Sequence, residues 1–367
     1  MRFRSSHSSK VPRDIVRLCP ACQMCGQSHA LRGFRGKLPK KGTDMTITIG
    51  TFNLNNLFSR YNFQAEIEAL PPHEAGGLEL TFGQDQVSVR SFMGRLVRPK
   101  DPGDTAMIAE RIRAMNADVL AVQEVEHIEI LRQFNRDHLG GMYSEAVLVE
   151  GNDQRLIDVG VLSRLPLGSI TSHQAARHRD DPSRRIFGRD LLQVEILRPN
   201  GDKHLTLFNT HMKSHFVPFG EDPVAGAIAA NLRRRRQAET IAAIISRQER
   251  RGSRFVLTGD MNDPPQSADL APMFTIDGDP MINALDMAAE TRPPKPETSG
   301  QGPGPQSATW THRFNPPGPE FPRYEQFDQI WLSDGLRDSL LSAHIDRRTR
   351  HGGDGSDHDP AWVVLDV

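Results

Sequence analysis

The chain has 367 residues, 37% of them hydrophobic, enough to bury a large core as one big domain or as one domain with extensions. Formal charge is nearly balanced, 45 Lys/Arg against 46 Asp/Glu, but residues 1–44 hold 10 basic and 2 acidic side chains and leave the remainder with 35 and 44. A net acidic body argues against a protein that coats nucleic acid electrostatically, and leaves room for an enzyme that engages a few phosphates in a locally basic cleft.

All three cysteines lie in the basic leader, so the body cannot depend on disulfides. Cys19, Cys22 and Cys25 with His29 would complete a tetrahedral zinc set, but zinc modules usually split their ligands into two pairs across a longer loop. The expected reading of residues 1–44 is a disordered or artefactual leader, and a chain starting at Met45 would lose no motif. A transit peptide fits less well, because the Arg-rich leader has no amphipathic period. No apolar run approaches the roughly 20 residues of a membrane span, and none reads as a secretory signal, which places the protein in the cytoplasm.

From Met45 onward short β-type runs alternate with helical stretches, as in a layered α/β domain. Strands are expected over Thr46–Asn53, Asp118–Gln123, Ile157–Ser163, Leu191–Leu197, His204–Asn209, Phe255–Thr258, Phe327–Leu332 and Ala361–Leu365. Helices are expected over Asp104–Met115, Ile128–His138 and Ala225–Arg250. Two Pro/Gly-rich sections, 60–103 with a possible hairpin and 291–323, have the composition of insertions or surface loops.

The chemistry-bearing residues follow the strand-like runs. Glu124 ends the run Asp118–Gln123 as a carboxylate, and Asn53 ends its own run as a neutral oxygen donor. One carboxylate and one carboxamide, with water and substrate phosphate in the remaining positions, suit magnesium. Asp260 and Asn262 stand two apart past a buried strand, with Gly259 allowing a sharp turn. There Asp260 would orient or deprotonate a water, and Asn262 would donate a hydrogen bond to a phosphoryl oxygen. His358 needs a partner to fix its tautomer and charge, and Asp328 is the best candidate; Asp357 could ligate a metal directly or through water.

His211 follows Asn209 at another strand end, with Lys213 and His215 making the neighbourhood cationic, and could bind phosphate or protonate a leaving oxygen. Arg155, Arg189 and Asn209 are candidates for substrate-phosphate contact, as is the run Arg233–Arg236, which otherwise is a solvated helix face. The bland alternatives are strand-end turns, caps, a satisfied core histidine and polar surface loops.

Taken together, Thr51-Phe52-Asn53-Leu54-Asn55-Asn56-Leu57-Phe58, Gln123-Glu124-Val125, Gly259-Asp260-Met261-Asn262 and Ser356-Asp357-His358 resemble the endonuclease/exonuclease/phosphatase superfamily, in the deoxyribonuclease-I-like sense and as a bacterial-type member. The resemblance covers 45–367. It implies a four-layer α/β sandwich, two packed mixed or antiparallel sheets flanked by helices, with the site at one rim between them. It implies metal ligation by Asn53, Glu124 and Asp357, a hydrolytic role for Asp260 with Asn262, an Asp328–His358 pair, and His211 as the second histidine supported by Glu150. Arg189-Asp190 resembles a phosphate-contacting arginine followed by an acid. Segments by which abasic-site enzymes grip bent DNA are not recognisable.

The expected activity is Mg2+-dependent phosphodiester hydrolysis, with Mn2+ as an alternative ion and nucleic acid as the first substrate class. A phospholipid headgroup or small phosphate ester comes second, and a catalytically silent interaction module is the alternative from another class. Oligomeric state, and endo- against exo-action, stay open.

Overall fold

A computed structural model describes residues 46–58, 91–92, 95–96, 100–217, 220–290, 309–314, 322–347 and 355–367. The leader with Cys19, Cys22, Cys25 and His29, the start at Met45, and most of 60–103 and 291–323 lie outside the described residues; Ser91–Phe92 pairs with Arg95–Leu96 where a hairpin was expected.

In chain order the main elements are β1 (Thr46–Leu57), α1 (Pro102–Met115), β2 (Val119–Val125), α2 (Ile128–Asp137), β3 (Glu145–Leu148), β4 (Asp158–Ser163), β5 (Leu167–Ser172), β6 (Leu191–Leu197), β7 (Lys203–His211), α3 (Pro223–Gln248) and β8 (Phe255–Asp260). They continue with β9 (Ile282–Asn283), β10 (Ala288–Glu290), β11 (His312–Phe314), β12 (Arg323–Glu325), β13 (Asp328–Leu332), β14 (Leu340–Ile345) and β15 (Ala361–Asp366). One sheet runs β10-β14-β15-β1-β2-β4-β3 and the other β9-β13-β8-β7-β6-β5. Both are mixed: β1 lies parallel to β2 and antiparallel to β15, while β7 lies parallel to β8 and antiparallel to β6.

Three apolar layers account for the stacking. Ile47, Ile49, Val119, Ala121, Val159 and Val161 of the first sheet meet Val194, Leu205, Leu207, Val256, Ile330 and Leu332 of the second. Alternate residues of the first sheet, Phe52, Leu120, Val122 and Leu162, turn the other way onto Ile108 and Ile112 of α1 and Leu131 and Phe134 of α2. Phe208, Leu257 and Trp331 do the same onto Ala238, Ile241 and Ile245 of α3. The result is helix, sheet, sheet, helix, the four layers the resemblance implies. Each such aliphatic or aromatic side chain contributes about 1.5–3 kcal/mol by leaving water. β4 is buried along its whole length, as the mostly apolar, poorly alternating stretch Ile157–Leu162 indicates.

The helices begin where the backbone donors find caps. Asp101 accepts from the amides of Gly103 and Asp104 ahead of α1, and Asp222 accepts from Ala225 ahead of α3; Pro102 and Pro223 occupy the first turn. Within α3 the arginine run is not a uniformly solvated face. Arg234 is fully buried, with Nε 3.2 Å from Asp263 Oδ2 and Nη1 donating to the Lys213 carbonyl at 2.8 Å. It ties the loops after β7 and β8 to the helix.

Asn209 is corrected by its surroundings. It is fully buried between the sheets, its Nδ2 donating to the carbonyls of Val122 (3.1 Å) and Gly160 (2.8 Å) while its Oδ1 accepts from Gln123 Nε2 (2.8 Å). Both amide hydrogens and the acceptor are committed across the sandwich, so Asn209 braces the sheets instead of contacting substrate phosphate. Asn209→Leu should lower stability in urea unfolding by at least ~2 kcal/mol, because it strands buried polar partners. A KM change with unaltered stability would mean that the residue touches substrate after all.

Candidate active site

The site is the polar continuation of the inter-sheet core. Along each central strand the inward positions recur every second residue. They begin apolar and end polar: Ile49, Thr51, Asn53 on β1; Ala121, Gln123 on β2; Leu207, Asn209, His211 on β7; Val256, Thr258, Asp260 on β8; Leu332, Ile330, Asp328 on β13. Cross-strand register then does the assembly, for His211 lies opposite Asp260 and Asp260 opposite Asp328. The carboxyl ends of β1, β2, β7 and β8 meet at this rim, where α/β folds place their ligands.

Two expectations about strand ends change. β1 continues to Leu57, so Asn53 sits inside a strand, and β7 and β8 run to His211 and Asp260 themselves. Gly259 is not the turn. It lies in β8 against Thr210, where a Cβ would come 1.9 Å from the Thr210 carbonyl oxygen, and the reversal follows at Asn262 with φ +51°.

Glu124 has the outward parity of Leu120 and Val122, yet it belongs to the site. The register of β2 slips between Gln123 and Val125, and Glu124 takes φ +61°, a left-handed conformation that is uncommon for a residue with a side chain. This bulge re-aims the carboxylate: Oε2 accepts from the Asn56 amide at 3.1 Å and Oε1 lies 3.9 Å from His211 Nε2.

Around it the remaining groups converge. Asn53 Nδ2 donates to Asp260 Oδ2 at 2.9 Å, joining the two sheets, while Asn53 Oδ1 accepts from the Asn55 amide. Asp260 Oδ1 accepts from the Asn262 amide at 2.8 Å. His211 Nε2 is 3.3 Å and His358 Nε2 3.9 Å from Asp260 Oδ2. His358 Nδ1 lies 2.6 Å from Asp328 Oδ2, the pairing expected from the sequence.

The loop that delivers His358 is fastened from both sides. Ser356 Oγ donates to the Asn53 carbonyl at 2.7 Å and accepts from the His358 amide at 3.1 Å. Arg111 of α1 donates to the His358 carbonyl and pairs with the buried Asp359.

Sequence reasoning missed His312. It lies within the section taken for a surface loop, yet its Nε2 is 3.8 Å from Asp357 Oδ2 and its ring stacks on Phe327 at 4.8 Å. The neighbouring Thr311 Oγ1 accepts from the Asp328 amide at 2.9 Å. The signal was Trp310-Thr311-His312, a compact aromatic and polar cluster between Pro/Gly-rich stretches. Lys100 was missed too; its ammonium donates to the Asn55 carbonyl at 2.7 Å.

The support expected for His211 from Glu150 is not there. Glu150 is exposed, and His211 Nδ1 is buried with no hydrogen-bond partner among the described residues. Arg189, buried, donates to the Met212 carbonyl at 2.8 Å and lies 3.3 Å from Asp153 Oδ2, while Arg155 pairs with the same Asp153 at 3.2 Å.

Electrostatically the rim is crowded with acids. Burial, and then the charge of Asp357, push the Glu124 carboxyl up; burial also raises Asp260, against the pull of His358. Burial works to lower His358 but is overcome by the charge and hydrogen bond of Asp328, aided by Asp260 and Asp357, so the imidazole is held well above its usual 6.5. His211 goes the other way: burial first, then Arg189 and Arg155, keep it neutral. Burial would raise Asp357, but His312 and His358 hold it below the usual carboxylate range.

The model for the endonuclease/exonuclease/phosphatase family matches residues 50–358. The chain belongs to that family. The same fold appears in an endonuclease/exonuclease/phosphatase family protein from Bacteroides thetaiotaomicron (14% identity, 88% of this chain and 98% of that one, TM-score 0.52). It appears in another from Bacteroides vulgatus (15%, 88% and 99%, TM-score 0.53) and in an AP endonuclease from Archaeoglobus fulgidus (13%, 88% and 100%, TM-score 0.50). Among curated protein sequences none matches. Family membership makes the chain a hydrolase of phosphoester bonds.

Two measurements check the electrostatics. The charged Asp328–His358 pair stabilises the fold fully below the unfolded histidine value near 6.5, and that stabilisation is lost as pH climbs through the higher folded value. NMR titration should therefore find His358 protonated through neutrality in the wild type and titrating at lower pH in Asp328→Asn. Secondly, because Glu124 is destabilised as a carboxylate, Glu124→Gln should raise the melting temperature of metal-free protein by roughly 2–4 °C at neutral pH. The gap should close as pH falls through the raised Glu124 value, since the folded wild type takes up that proton before the unfolded chain does.

Proposed function

We propose that the protein is a divalent-metal-dependent phosphodiesterase acting on nucleic acid. The observation that carries the reading is the joining of Asn53, Asp260, His358 and Asp328 into one connected cluster from both sheets, with Glu124 turned into it by a strained bulge.

Asn53, Glu124 and Asp357 are the residues that would hold the ion. The fit rests on their chemistry: carboxylate and carboxamide oxygens, crowded enough that repulsion from Asp357 adds to burial in raising Glu124. His312, Asp357 and His358 also place ligand atoms within 4.8 Å of one another. His358 makes a poor member of that set, because a protonated imidazole has no lone pair to give. When bound, Mg2+, or Mn2+ in its place, supplies positive charge against the phosphoryl oxygens.

The chain's own groups do the rest. Asp260 accepts a proton from, and aligns, the attacking water; its Oδ1 is already fixed by the Asn262 amide and its Oδ2 by Asn53. Asn262 Nδ2 donates one hydrogen to the Met212 carbonyl at 3.1 Å and offers the other to a phosphoryl oxygen. The cationic His358, oriented by Asp328, stabilises charge as it builds on phosphorus. His211, being neutral, serves as a hydrogen-bond donor and not as the acid that its cationic neighbours in the sequence suggested. Arg189 and Arg155 supply positive charge on the His211 side of the site.

The test is hydrolysis of plasmid DNA, single-stranded oligonucleotides, RNA, a chromogenic phosphodiester and sphingomyelin, with chelator and with Mg2+ or Mn2+ restored. Activity on nucleic acid should vanish with chelator, and Glu124→Gln and His358→Ala should each lose roughly 10²–10³-fold or more in kcat while keeping the fold. Near-normal turnover by either variant with Mg2+ would end the assignment, and preference for sphingomyelin would move the substrate class.

A further inference from the structure

Beside the rim lies a cavity of about 210 Å³ whose walls include Asp153, Arg155, Arg189, Lys213, Phe216 and Arg233. Its lining holds four cations and one carboxylate. Asp153 is already divided between Arg155 Nη2 (3.2 Å) and Arg189 Nη1 (3.3 Å). Lys213 Nζ donates to the carbonyls of Ser214 (2.7 Å) and Phe216 (2.8 Å), which satisfy hydrogens but leave its charge unbalanced. Arg233 donates to the Ile186 carbonyl through two long contacts of 3.4 Å, and its charge is offset at longer range by Asp153 and Asp181.

A purely structural role explains part of this. Arg189 holds the Met212 carbonyl, which accounts for one buried guanidinium. It does not explain why Lys213 and Arg233 line the same cavity, where like charges repel. Burial, and then Arg189, Arg155, Arg234 and Arg233, push the Lys213 ammonium down to about 8, so the cluster is one that an incoming anion would relieve.

The position of the cavity specifies which anion. The Met212 carbonyl accepts from Arg189 Nη2, of a residue that lines the cavity, and from Asn262 Nδ2, of a residue at the rim, so one backbone carbonyl links the two. His211 and Lys213 flank that residue, and two residues of chain span at most roughly 7 Å. This is the order of the spacing between consecutive phosphates in an extended strand. Phe216, 41% exposed at the cavity wall, offers an apolar face beside the cations.

We propose that this cavity is a subsite for a second phosphoryl group of the substrate, one linkage away from the phosphoryl group that is cleaved. The proposal rests on the phosphodiesterase reading above and deepens it: a substrate carrying a neighbouring phosphate is favoured over one with a single phosphate.

The experiment compares dTpdT with its 5′-phosphorylated and 3′-phosphorylated forms, and with bis(p-nitrophenyl) phosphate, which has no second phosphate. In the wild type one phosphorylated dinucleotide should show a KM about tenfold lower than dTpdT, the worth of one or two charge-assisted hydrogen bonds. Arg233→Gln should erase that advantage and leave kcat on bis(p-nitrophenyl) phosphate unchanged. Equal KM values in the wild type, or an advantage that survives Arg233→Gln, would overturn the proposal.

A binding arm keeps this separate from failure of the hydrolytic reading. In chelator, inorganic phosphate should raise the melting temperature of Glu124→Gln, which lacks a metal-ligand carboxylate, and should not do so in Glu124→Gln combined with Arg233→Gln. Lack of hydrolysis of every compound would sink the phosphodiesterase reading alone. No thermal shift with phosphate, or a shift that persists without Arg233, would sink the subsite. Phosphate protection without any preference between the dinucleotides would assign the cavity to free phosphate and overturn its role in substrate choice.

Discussion

The hydrogen bond from Asn53 Nδ2 to Asp260 Oδ2 is the contact on which the site depends, because it joins side chains from opposite sheets that lie 207 residues apart in the chain. A sandwich can keep its sheets together with apolar side chains alone, but such packing does not set the distance between two polar groups at its edge. Behind the rim the same problem is solved by Gln123 and Asn209, whose amides bind each other and two backbone carbonyls. Buried polar groups of this kind are tolerated only when their partners are present, so they fix the alignment of the sheets as well as adding to stability.

What this alignment creates is a place where acids are kept closer together than they would choose. Glu124 pays for its position with a left-handed backbone and with burial near Asp357 and Asp260, while His358 returns positive charge through its pairing with Asp328. An assembly of this kind is unfavourable in the resting protein. The loops that hold it are correspondingly well fastened: Ser356 to the Asn53 carbonyl, Arg111 to Asp359, and Arg234 to Asp263.

Much of this was legible beforehand. Short apolar runs ending in Asn, Glu, Asp and His gave the central strands and nearly all of the clustered residues, since a β-strand's period of two carries the core pattern into the site without interruption. The edge strands β3 and β5, and β14 one place in from an edge, were not seen, because half-exposed strands such as Leu167–Ser172 lack a sustained apolar signal. Asn209 was misread for a related reason: a carboxamide at a strand end looks alike whether it faces a ligand or the opposite sheet. His312 was passed over because its neighbours in sequence, rich in Pro and Gly, describe the loop and not where one turn of it touches down.

The sequence by itself pointed to the family, to the strand-like runs that carry the chemistry-bearing residues and to Asp328 as the best partner for His358, since these follow from local pattern and residue type. Only the tertiary structure decided that Glu124 reaches the site through a bulge, that Asn209 is a brace, that His211 is neutral and that Lys213 and Arg233 share a cavity. The physical reason is that backbone torsion, desolvation and the mutual repulsion of charges are properties of a surrounding volume, and residues distant along the chain supply that volume.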